Sequence, residues 1–420
     1  MTRRYFGTDG VRGVVGDTLT VDIVERLGRA ATLWAGGGRV LVGRDTRGSG
    51  PELESALARG IADGGGAAVL GGVLPTPAVA LLAEGLGVVV SASHNPPEYN
   101  GVKVFAQGGR KLADDEEAAI ERLLDRPGPG SGSVAQVDGL GVAYADLVVD
   151  RFGRDLSGLR IAVDCANGAF SAIAPRVLRR LGAEVVALYD EPDGANINVG
   201  CGATDLAALS AAVLDATADL GVAFDGDGDR MLAVDERGEP VDGDQILAVL
   251  ALAQRVERVA VTVMTNLGFH RLMAAEGIAV DVTPVGDRYV LESLRATGGV
   301  LGGEQSGHVI WLDGHVTGDG LVAAVLLCGA LEGRPLSEAA AVMERHPQVV
   351  ESVHVARRDL TEAVEAEVER VNAELAGRGR VLVRPSGTEP VVRVLAEAES
   401  QEVAANLCAS IAAIVRTELG

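Results

Sequence analysis

Three carboxylates at alternate positions are the strongest chemical feature of this chain. They alternate with glycines in the segment DGDGDR and precede a guanidinium: Asp225, Asp227, Asp229 and Arg230. Carboxylates with this spacing can wrap around one hard cation. With Glu236 the segment nearly matches an EF-hand loop, but Arg230 occupies the position of the required glycine, and residues 220–224 have the composition of a strand. The pattern favours a Mg²⁺ site, with a solvated acidic turn as the alternative.

A serine follows another apolar run, in the segment SASHNPPEYNGVK (91–103). Because the run has the character of a strand, we expect the Ser93 hydroxyl at the carboxyl edge of a sheet, where it faces a cleft. Asn95, Pro96 and Pro97 fix a rigid turn behind it. The segment lacks the G-x-S-x-G pattern of a nucleophile elbow. Taken alone, it also fits an ordinary turn.

The segment GEQSGH (303–308) brings together a carboxylate, a hydroxyl and an imidazole. Glu304 can hold sugar hydroxyls, and His308 can transfer protons near neutral pH. A lone histidine in such a position is often a buried structural residue, and this alternative stays open from the residues alone.

The segment RPSGTEP (384–390) concentrates phosphate-binding groups. It offers one guanidinium, two hydroxyls and a glycine amide, and a second guanidinium follows on the next strand: Arg384, Ser386, Thr388, Gly387 and Arg393. Charge and donors arranged in this way can encircle a phosphate. A surface turn is the alternative.

Three copies of one pattern position the first three loops. In each copy an apolar run begins at a basic residue, a helical stretch follows, a second run begins at a glycine, and a third run ends in a polar loop. The first runs begin at Arg39, Arg160 and Arg258, the second at Gly66, Gly182 and Gly277, and the third at Leu86, Leu220 and Gly298. Continuous apolar runs between helices are typical of buried parallel strands, whose carboxyl ends bind ligands. We therefore expect the three loops to converge on one cleft.

The rest of the chain departs from this pattern. After Pro347 a strand, a charged helix, two strands and a terminal helix indicate a smaller α+β domain. The predicted fold is α/β, with three similar mixed-sheet domains around a central cleft and a C-terminal α+β lid domain. The predicted limits are 1–150 with the serine loop, 151–255 with the metal loop, 256–348 with the sugar loop and 349–420 with the phosphate loop.

Composition narrows the class of protein. The 420 residues are 47% hydrophobic, which is enough to build sizeable cores, and the net charge of −22 argues against a general nucleic-acid or anionic-membrane binder. The four cysteines are far apart, so neither a disulfide scaffold nor a zinc ribbon is indicated. The N-terminus lacks an apolar signal core, and no apolar stretch reaches the roughly 18 residues of a membrane span. We expect a soluble, cytoplasmic protein.

Five motifs in order resemble the α-D-phosphohexomutase superfamily over nearly the whole chain. They are FGTDGVRG (6–13), SASHNP (91–96), DGDGDR (225–230), GEQSGH (303–308) and RPSGTEP (384–390). Within the superfamily, NINVGCGAT (196–204) resembles the branch that acts on glucosamine phosphates, with Ala203 in place of the usual serine. The segment PEYNGVKVF (97–105) is instead similar to the phosphomannomutase/phosphoglucomutase branch.

The resemblance implies a role for each matching residue near the serine. Ser93 would be the nucleophile, modified to phosphoserine, and its phosphate would join the three aspartates as a Mg²⁺ ligand: Asp225, Asp227 and Asp229. Arg12 and Lys103 would flank it as charge-stabilising or proton-transfer groups, His94 would be a catalytic residue beside it, and His308 would be the general base. Substrate would be bound by Glu304, Ser306 and Arg230 and by the phosphate clamp Arg384, Ser386, Gly387, Thr388 and Arg393.

The implied reaction interconverts glucosamine 6-phosphate and glucosamine 1-phosphate through a 1,6-bisphosphate, in the synthesis of UDP-N-acetylglucosamine and cell-wall precursors. One Mg²⁺ per active site would serve it, with glucosamine 1,6-bisphosphate or glucose 1,6-bisphosphate as activator. Expected partners are the phosphosugar, an activating kinase or bisphosphate donor, and a second copy in a homodimer, with no nucleic acid or membrane. The alternatives are a phosphomannomutase/phosphoglucomutase and a non-catalytic phosphosugar-binding protein.

Overall fold

The computed structural model describes residues 4–7, 9–386 and 390–420. The chain separates into two compact units, the first Met1–Val263 with Ala279–Ala341 and the second Met264–Ile278 with Val342–Gly420. Within the described ranges, no helix is long and apolar enough to cross a membrane.

The first sheet is mixed and has the strand order β1-β5-β4-β2-β3-β7, with β6 paired to β5. Strands β2, β3, β4 and β7 run parallel, whereas β5 is antiparallel to β4 and to β1. Its elements are β1 Val11–Val14, α1 Val21–Ala35, β2 Gly38–Arg44, α2 Gly50–Asp63, β3 Gly66–Val73, α3 Thr76–Leu82, β4 Leu86–Val90, β5 Tyr99–Ala106, β6 Arg110–Lys111, α4 Asp114–Glu121, β7 Ser133–Gln136 and α5 Leu140–Phe152.

Helix α1 shows how local sequence sets these elements. It begins after Thr20, whose Oγ1 accepts a hydrogen bond from the Ile23 amide at 3.3 Å, a cap worth about 1 kcal/mol. It ends at Gly36, whose left-handed φ of 76° suits a residue without a side chain. Val24 and Leu27 on its inner face are buried in the core of the first sheet.

The second sheet has the order β12-β11-β10-β8-β9, in which β8 is parallel to β9 and β10, and β11 is antiparallel to β10. Its elements are β8 Arg160–Asp164, α6 Ala174–Arg180, β9 Glu184–Leu188, α7 Ala207–Ala216, β10 Leu220–Phe224, β11 Met231–Asp235, β12 Pro240–Val241 and α8 Gly243–Ala253.

The third sheet has the order β14-β13-β15-β16, with β13 parallel to β14 and β15, and β16 antiparallel to β15. Its strands and the helices that follow them in the first unit are β13 Arg258–Thr262, β14 Ala279–Thr283, α10 Asp287–Thr297, β15 Leu301–Gly303, β16 Val309–Trp311, α11 Gly320–Ala330 and α12 Leu336–Ala340.

The threefold pattern of the sequence is confirmed. In each of the three sheets the first strand of the repeat lies between the second and the third, and the next strand returns antiparallel to the third. The polar loops follow the equivalent strands β4, β10 and β15. Each loop is therefore fixed at both ends by neighbouring strands of its own sheet.

The second unit contains an antiparallel sheet of order β17-β19-β18. The predicted α+β organisation of this region is confirmed, with elements α9 Leu267–Ala275, β17 Gln348–His354, α13 Glu362–Leu375, β18 Arg380–Pro385, β19 Val391–Glu397 and α14 Gln401–Leu419. Helix α9 joins this unit through Asn266, whose Nδ2 donates to the His346 carbonyl at 2.9 Å.

Candidate active site

Ser93 is the third residue of the loop that follows β4, and it is almost fully buried. Its Oγ donates a hydrogen bond to Asp225 Oδ2 at 2.5 Å and lies 3.2 Å from Nδ1 of His94. The residue has a left-handed φ of 52°, an uncommon conformation for a side-chain-bearing residue. Residues 132 positions apart thus meet through a hydroxyl and a carboxylate.

The three aspartates of the loop after β10 converge. Asp225, Asp227 and Asp229 are all buried, and each offers a carboxylate oxygen within 4.8 Å of the others. The Oδ1 atoms of Asp227 and Asp229 are buried and accept no hydrogen bond from the described residues. Mg²⁺ prefers carboxylate oxygens as ligands, so the residues present fit a Mg²⁺ ion.

The pKa values of two aspartates in this loop, Asp225 and Asp227, are shifted in opposite directions. Burial, followed by the charges of Asp227 and Asp229, raises the pKa of Asp225 well above its ordinary value. Burial also disfavours the charged form of Asp227, but the Lys103 ammonium outweighs it and holds the pKa of Asp227 below its ordinary value. A cation bound next to Asp225, in addition to Lys103, would reduce the repulsion from Asp227 and Asp229 that contributes to the raised pKa of Asp225.

Lys103, from β5, is buried among carboxylates. Its Nζ lies 2.8 Å from Asp227 Oδ2, 2.9 Å from Asp229 Oδ2 and 2.9 Å from Asp9 Oδ2. Burial lowers the pKa of Lys103, but these three carboxylates outweigh burial and raise it well above its ordinary value. The ammonium therefore stays charged at neutral pH.

A ring of alternating charges connects this lysine to His308. Lys111 lies 3.4 Å from Asp9 and forms an ion pair with Asp287, whose Oδ2 is 3.1 Å from His308 Nε2. His308 Nδ1 in turn lies 3.7 Å from Asp229 Oδ1. The members of this charge ring come from all three repeats: Asp229, Lys103, Asp9, Lys111, Asp287 and His308.

Sequence reasoning missed part of this ring. Asp9 lies inside the FGTDGVRG motif, so the motif itself was the available signal. Lys111 and Asp287 stand in segments without any distinctive spacing, and the 176 residues between them hide their ion pair. Thr76, whose Oγ1 donates to Asp227 Oδ2 at 2.6 Å, was missed for the same reason.

The structure places the remaining predicted residues of the first unit around this centre. Arg12 forms an ion pair with Asp9, and Arg230 Nε lies 3.9 Å from Asp229 Oδ1. Glu304 is buried, and its Oε1 accepts a hydrogen bond from the Gly286 amide at 3.0 Å. Burial raises the pKa of Glu304 above its ordinary value. Ser306, at the tip of the same loop, is exposed.

The residues predicted to bind phosphate belong to the second unit. Arg384 on β18 and Arg393 on β19 are register partners across an antiparallel pair of strands. Ser386 is buried, and its carbonyl oxygen accepts a hydrogen bond from Arg358 Nη1 at 2.9 Å. The two other residues assigned to this loop, Gly387 and Thr388, lie outside the described residues.

Family comparison covers nearly the entire chain. Models described as phosphoglucomutase/phosphomannomutase alpha/beta/alpha domains I, II and III match residues 3–128, 143–238 and 242–346, and the C-terminal domain model matches residues 338–414. The chain belongs to the phosphoglucomutase/phosphomannomutase family.

Individual relatives agree with the family. A protein of Frankia alni named phosphoglucosamine mutase is 51% identical, with 99% of each chain covered. The solved structure of a phosphoglucomutase/phosphomannomutase family protein from Burkholderia thailandensis superposes with a TM-score of 0.85 at 28% identity, covering 98% of this chain and 97% of that one. N-acetylphosphoglucosamine mutase of Aspergillus fumigatus, solved with GlcNAc-6P and magnesium, shares the fold with a TM-score of 0.72 at 19% identity, covering 99% of this chain and 96% of that one.

Proposed function

We propose that this enzyme interconverts glucosamine 6-phosphate and glucosamine 1-phosphate, the activity in the name of its Frankia alni relative. The observation that carries the proposal is the contact between Ser93 Oγ and Asp225 inside a cluster of three buried carboxylates. A hydroxyl in that position can carry a phosphoryl group beside a divalent cation. A protein that merely binds phosphosugars needs neither the serine hydroxyl nor the cluster of carboxylates.

Phosphoserine at position 93 starts the proposed cycle. The 1-hydroxyl or 6-hydroxyl of the sugar attacks the phosphorus, the bond from phosphorus to Ser93 Oγ breaks, and Oγ takes up a proton to become a hydroxyl. The bisphosphate then turns over and returns its other phosphoryl group to Ser93. Asp225, Asp227 and Asp229 would hold one Mg²⁺, which when bound neutralises charge on the transferred group.

The protein's own side chains handle protons and charge in this scheme. His308 is assigned as the general base for the attacking sugar hydroxyl, and the carboxylates of Asp287 and Asp229 hold its buried ring in place. Lys103 and Arg12 flank the phosphoserine and stabilise its charge, and the His94 ring lies beside Ser93 Oγ.

Substrate binding is assigned to two sets of groups. Arg230, Glu304 and Ser306 contact the sugar, and the non-reacting phosphate is bound by Arg384, Ser386, Gly387, Thr388 and Arg393. Arg384 and Arg393 are register partners on one sheet face, and two neighbouring guanidinium groups can bind one phosphate dianion together. This pairing supports an anion site on the second unit.

Activity is tested by following glucosamine 6-phosphate, glucose 6-phosphate and mannose 6-phosphate with Mg²⁺ by phosphorus NMR. A small amount of glucosamine or glucose 1,6-bisphosphate serves as activator. Conversion of the amino sugar with the highest kcat/KM supports the proposal. Preference for glucose or mannose phosphate would make the protein a phosphoglucomutase/phosphomannomutase, and binding without conversion would make it a binding protein.

Several finer statements remain predictions. They are the three boundaries between the four domains, at residues 150, 255 and 348, phosphorylation of Ser93 by a kinase or a bisphosphate donor, a homodimer, a cytoplasmic location and a role in cell-wall precursor synthesis. Intact mass before and after incubation with glucose 1,6-bisphosphate tests the modification, because the increment of one phosphate should disappear in Ser93→Ala.

A further inference from the structure

The backbone of Ser93 is held by side chains. Its amide donates to Ser91 Oγ at 2.9 Å, and its carbonyl oxygen accepts from Arg47 Nη2 at 2.9 Å and from Asn198 Nδ2 at 2.8 Å. Its left-handed φ of 52° is one that a residue with a side chain adopts only where the surroundings impose it. Three side chains thus fix the conformation from which the hydroxyl reaches Asp225.

Arg47 makes more contacts with the serine loop than any other of these side chains, although none of the sequence motifs includes it. The side chain is fully buried, and its Nε lies 2.9 Å from Asp45 Oδ2. Its two Nη groups donate to four carbonyl oxygens of the serine loop, those of Ser93, Asn95, Pro96 and Tyr99. A planar guanidinium with five donors in a fixed fork suits this task, and a lysine ammonium does not.

Two neighbours complete the arrangement. Asp45 Oδ2 also accepts from Ser91 Oγ at 2.5 Å, so the same carboxylate supports the groups on both sides of the Ser93 backbone. Asn198, from the second repeat, donates to the Asn95 carbonyl at 3.1 Å as well as to that of Ser93. The side chains that hold the serine loop are called the serine clamp: Asp45, Arg47, Ser91 and Asn198.

We propose that the serine clamp is a positioning device for phosphoryl transfer, an inference that rests on the proposed function. The contacts of Arg47 and Asn198 with the loop end on backbone carbonyls, which keep the same charge whether Ser93 Oγ is free or phosphorylated. The clamp can therefore hold the loop in one geometry through both transfers. It acts through Ser93 and not on the sugar.

This arrangement predicts a particular kinetic signature. A loop that samples other conformations presents the phosphoryl group correctly for a smaller fraction of the time, which lowers kcat. Binding of the sugar phosphate depends on other residues, so its KM changes little. A misplacement of about 1 Å can lower a rate on the order of 10²-fold.

Two variants and two matched controls test the proposal. Arg47→Lys keeps the positive charge beside Asp45 but loses the fork, and Asn198→Gly removes the amide while tolerating the left-handed φ of 59°. The controls are Arg59→Lys, at an exposed arginine of the same sheet domain, and Thr217→Gly, at an exposed left-handed residue that follows α7. Each protein is loaded with phosphate from glucose 1,6-bisphosphate and mixed with glucosamine 6-phosphate in a rapid-quench experiment.

We expect kcat and the single-turnover rate to fall about tenfold to hundredfold in Arg47→Lys, less in Asn198→Gly, and KM to stay within about twofold. Amide hydrogen exchange of residues 91–99 should accelerate in both variants, and in Asn198→Gly the melting temperature should stay close to that of the controls. Unchanged kcat with unchanged exchange would overturn the proposal. So would a rise in KM at constant kcat.

The design separates this inference from the proposed function. If the phosphorylated protein without substitutions transfers no phosphoryl group, the proposed function fails. Hydrogen exchange of residues 91–99 alone then decides whether the clamp holds the loop. If Arg47→Lys does not fold, Asn198→Gly decides, because it leaves the buried Asp45–Arg47 pair intact. Normal exchange and normal kcat in Asn198→Gly would then refute the clamp.

Discussion

The loops after β4 and β15 occupy equivalent positions in the first and third repeats but are held in different ways. The β4 loop is fixed by buried side chains that grip the backbone of Ser93. The β15 loop is fixed mainly by backbone contacts, since the Glu304 amide donates to the His308 carbonyl at 3.0 Å and the Gly243 amide to the Gln305 carbonyl at 2.9 Å. Its tip residue, Ser306, is exposed.

This difference matches what each loop must do in the proposed reaction. A covalent nucleophile needs one geometry in every cycle, and a clamp of buried donors supplies it. A loop that meets a sugar in two orientations needs firm anchors at its base and adaptable groups at its tip. In the proposed reaction, one fold position would thus support either a fixed nucleophile or a substrate contact, depending on which side chains surround it.

The largest expected effect is at the fixed loop. Ser93→Ala removes the atom that would carry the phosphoryl group in the proposed reaction, so turnover should fall by about 10⁴-fold or more while substrate affinity changes little. Phosphorus NMR measures the loss, and Ser55→Ala, at an exposed serine of α2, is the control. More than a few per cent of residual activity would contradict a covalent mechanism.

A glycine substitution next to His308 tests the β15 loop. A Cβ added at Gly318 would lie 2.3 Å from Nε2 of His308, so in Gly318→Ala the imidazole can no longer keep its position against residue 318. We expect kcat to fall on the order of 10²-fold. Gly141→Ala, where the nearest atom is 3.3 Å away, is the control. Activity within threefold of normal would show that the position of His308 is unimportant.

Glu304→Gln examines the anchored part of the β15 loop. The amide oxygen can still accept the hydrogen bond from Gly286, but a charged acceptor for sugar hydroxyls is lost. KM for glucosamine 6-phosphate should rise about tenfold to hundredfold, the range for hydrogen bonds to charged groups. Steady-state kinetics of this variant are compared with Glu239→Gln, at an exposed position. An unchanged KM would remove Glu304 from the substrate site.

The smallest effect is expected at the tip of the same loop. Ser306 is exposed, so its hydrogen bond to a sugar replaces one to water and contributes little net free energy. Ser306→Ala should raise KM only about two- to fivefold. A change as large as that of Glu304→Gln would mean that the tip is fixed when substrate binds, and would remove the contrast between the two loops.

Much of the site could be predicted because its signals are local. Carboxylates at alternate positions, a serine directly after a buried strand and a glutamate beside a histidine are each visible within about ten residues. The repeat then places these loops at equivalent sheet edges. Lys111, Asp287 and Arg47 gave no such signal, because an isolated lysine, aspartate or arginine in a chain of this composition usually lies at the surface.

The sequence by itself determined the three α/β repeats, the smaller C-terminal α+β domain and the loops that carry the serine and the aspartates. These follow from apolar periodicity and from residues close together in the chain. Only the tertiary structure decided that Arg47 grips the Ser93 backbone and that a ring of charges connects Lys103 to His308. Buried charges must find partners in three dimensions, and those partners lie up to 176 residues away, where no local pattern records them.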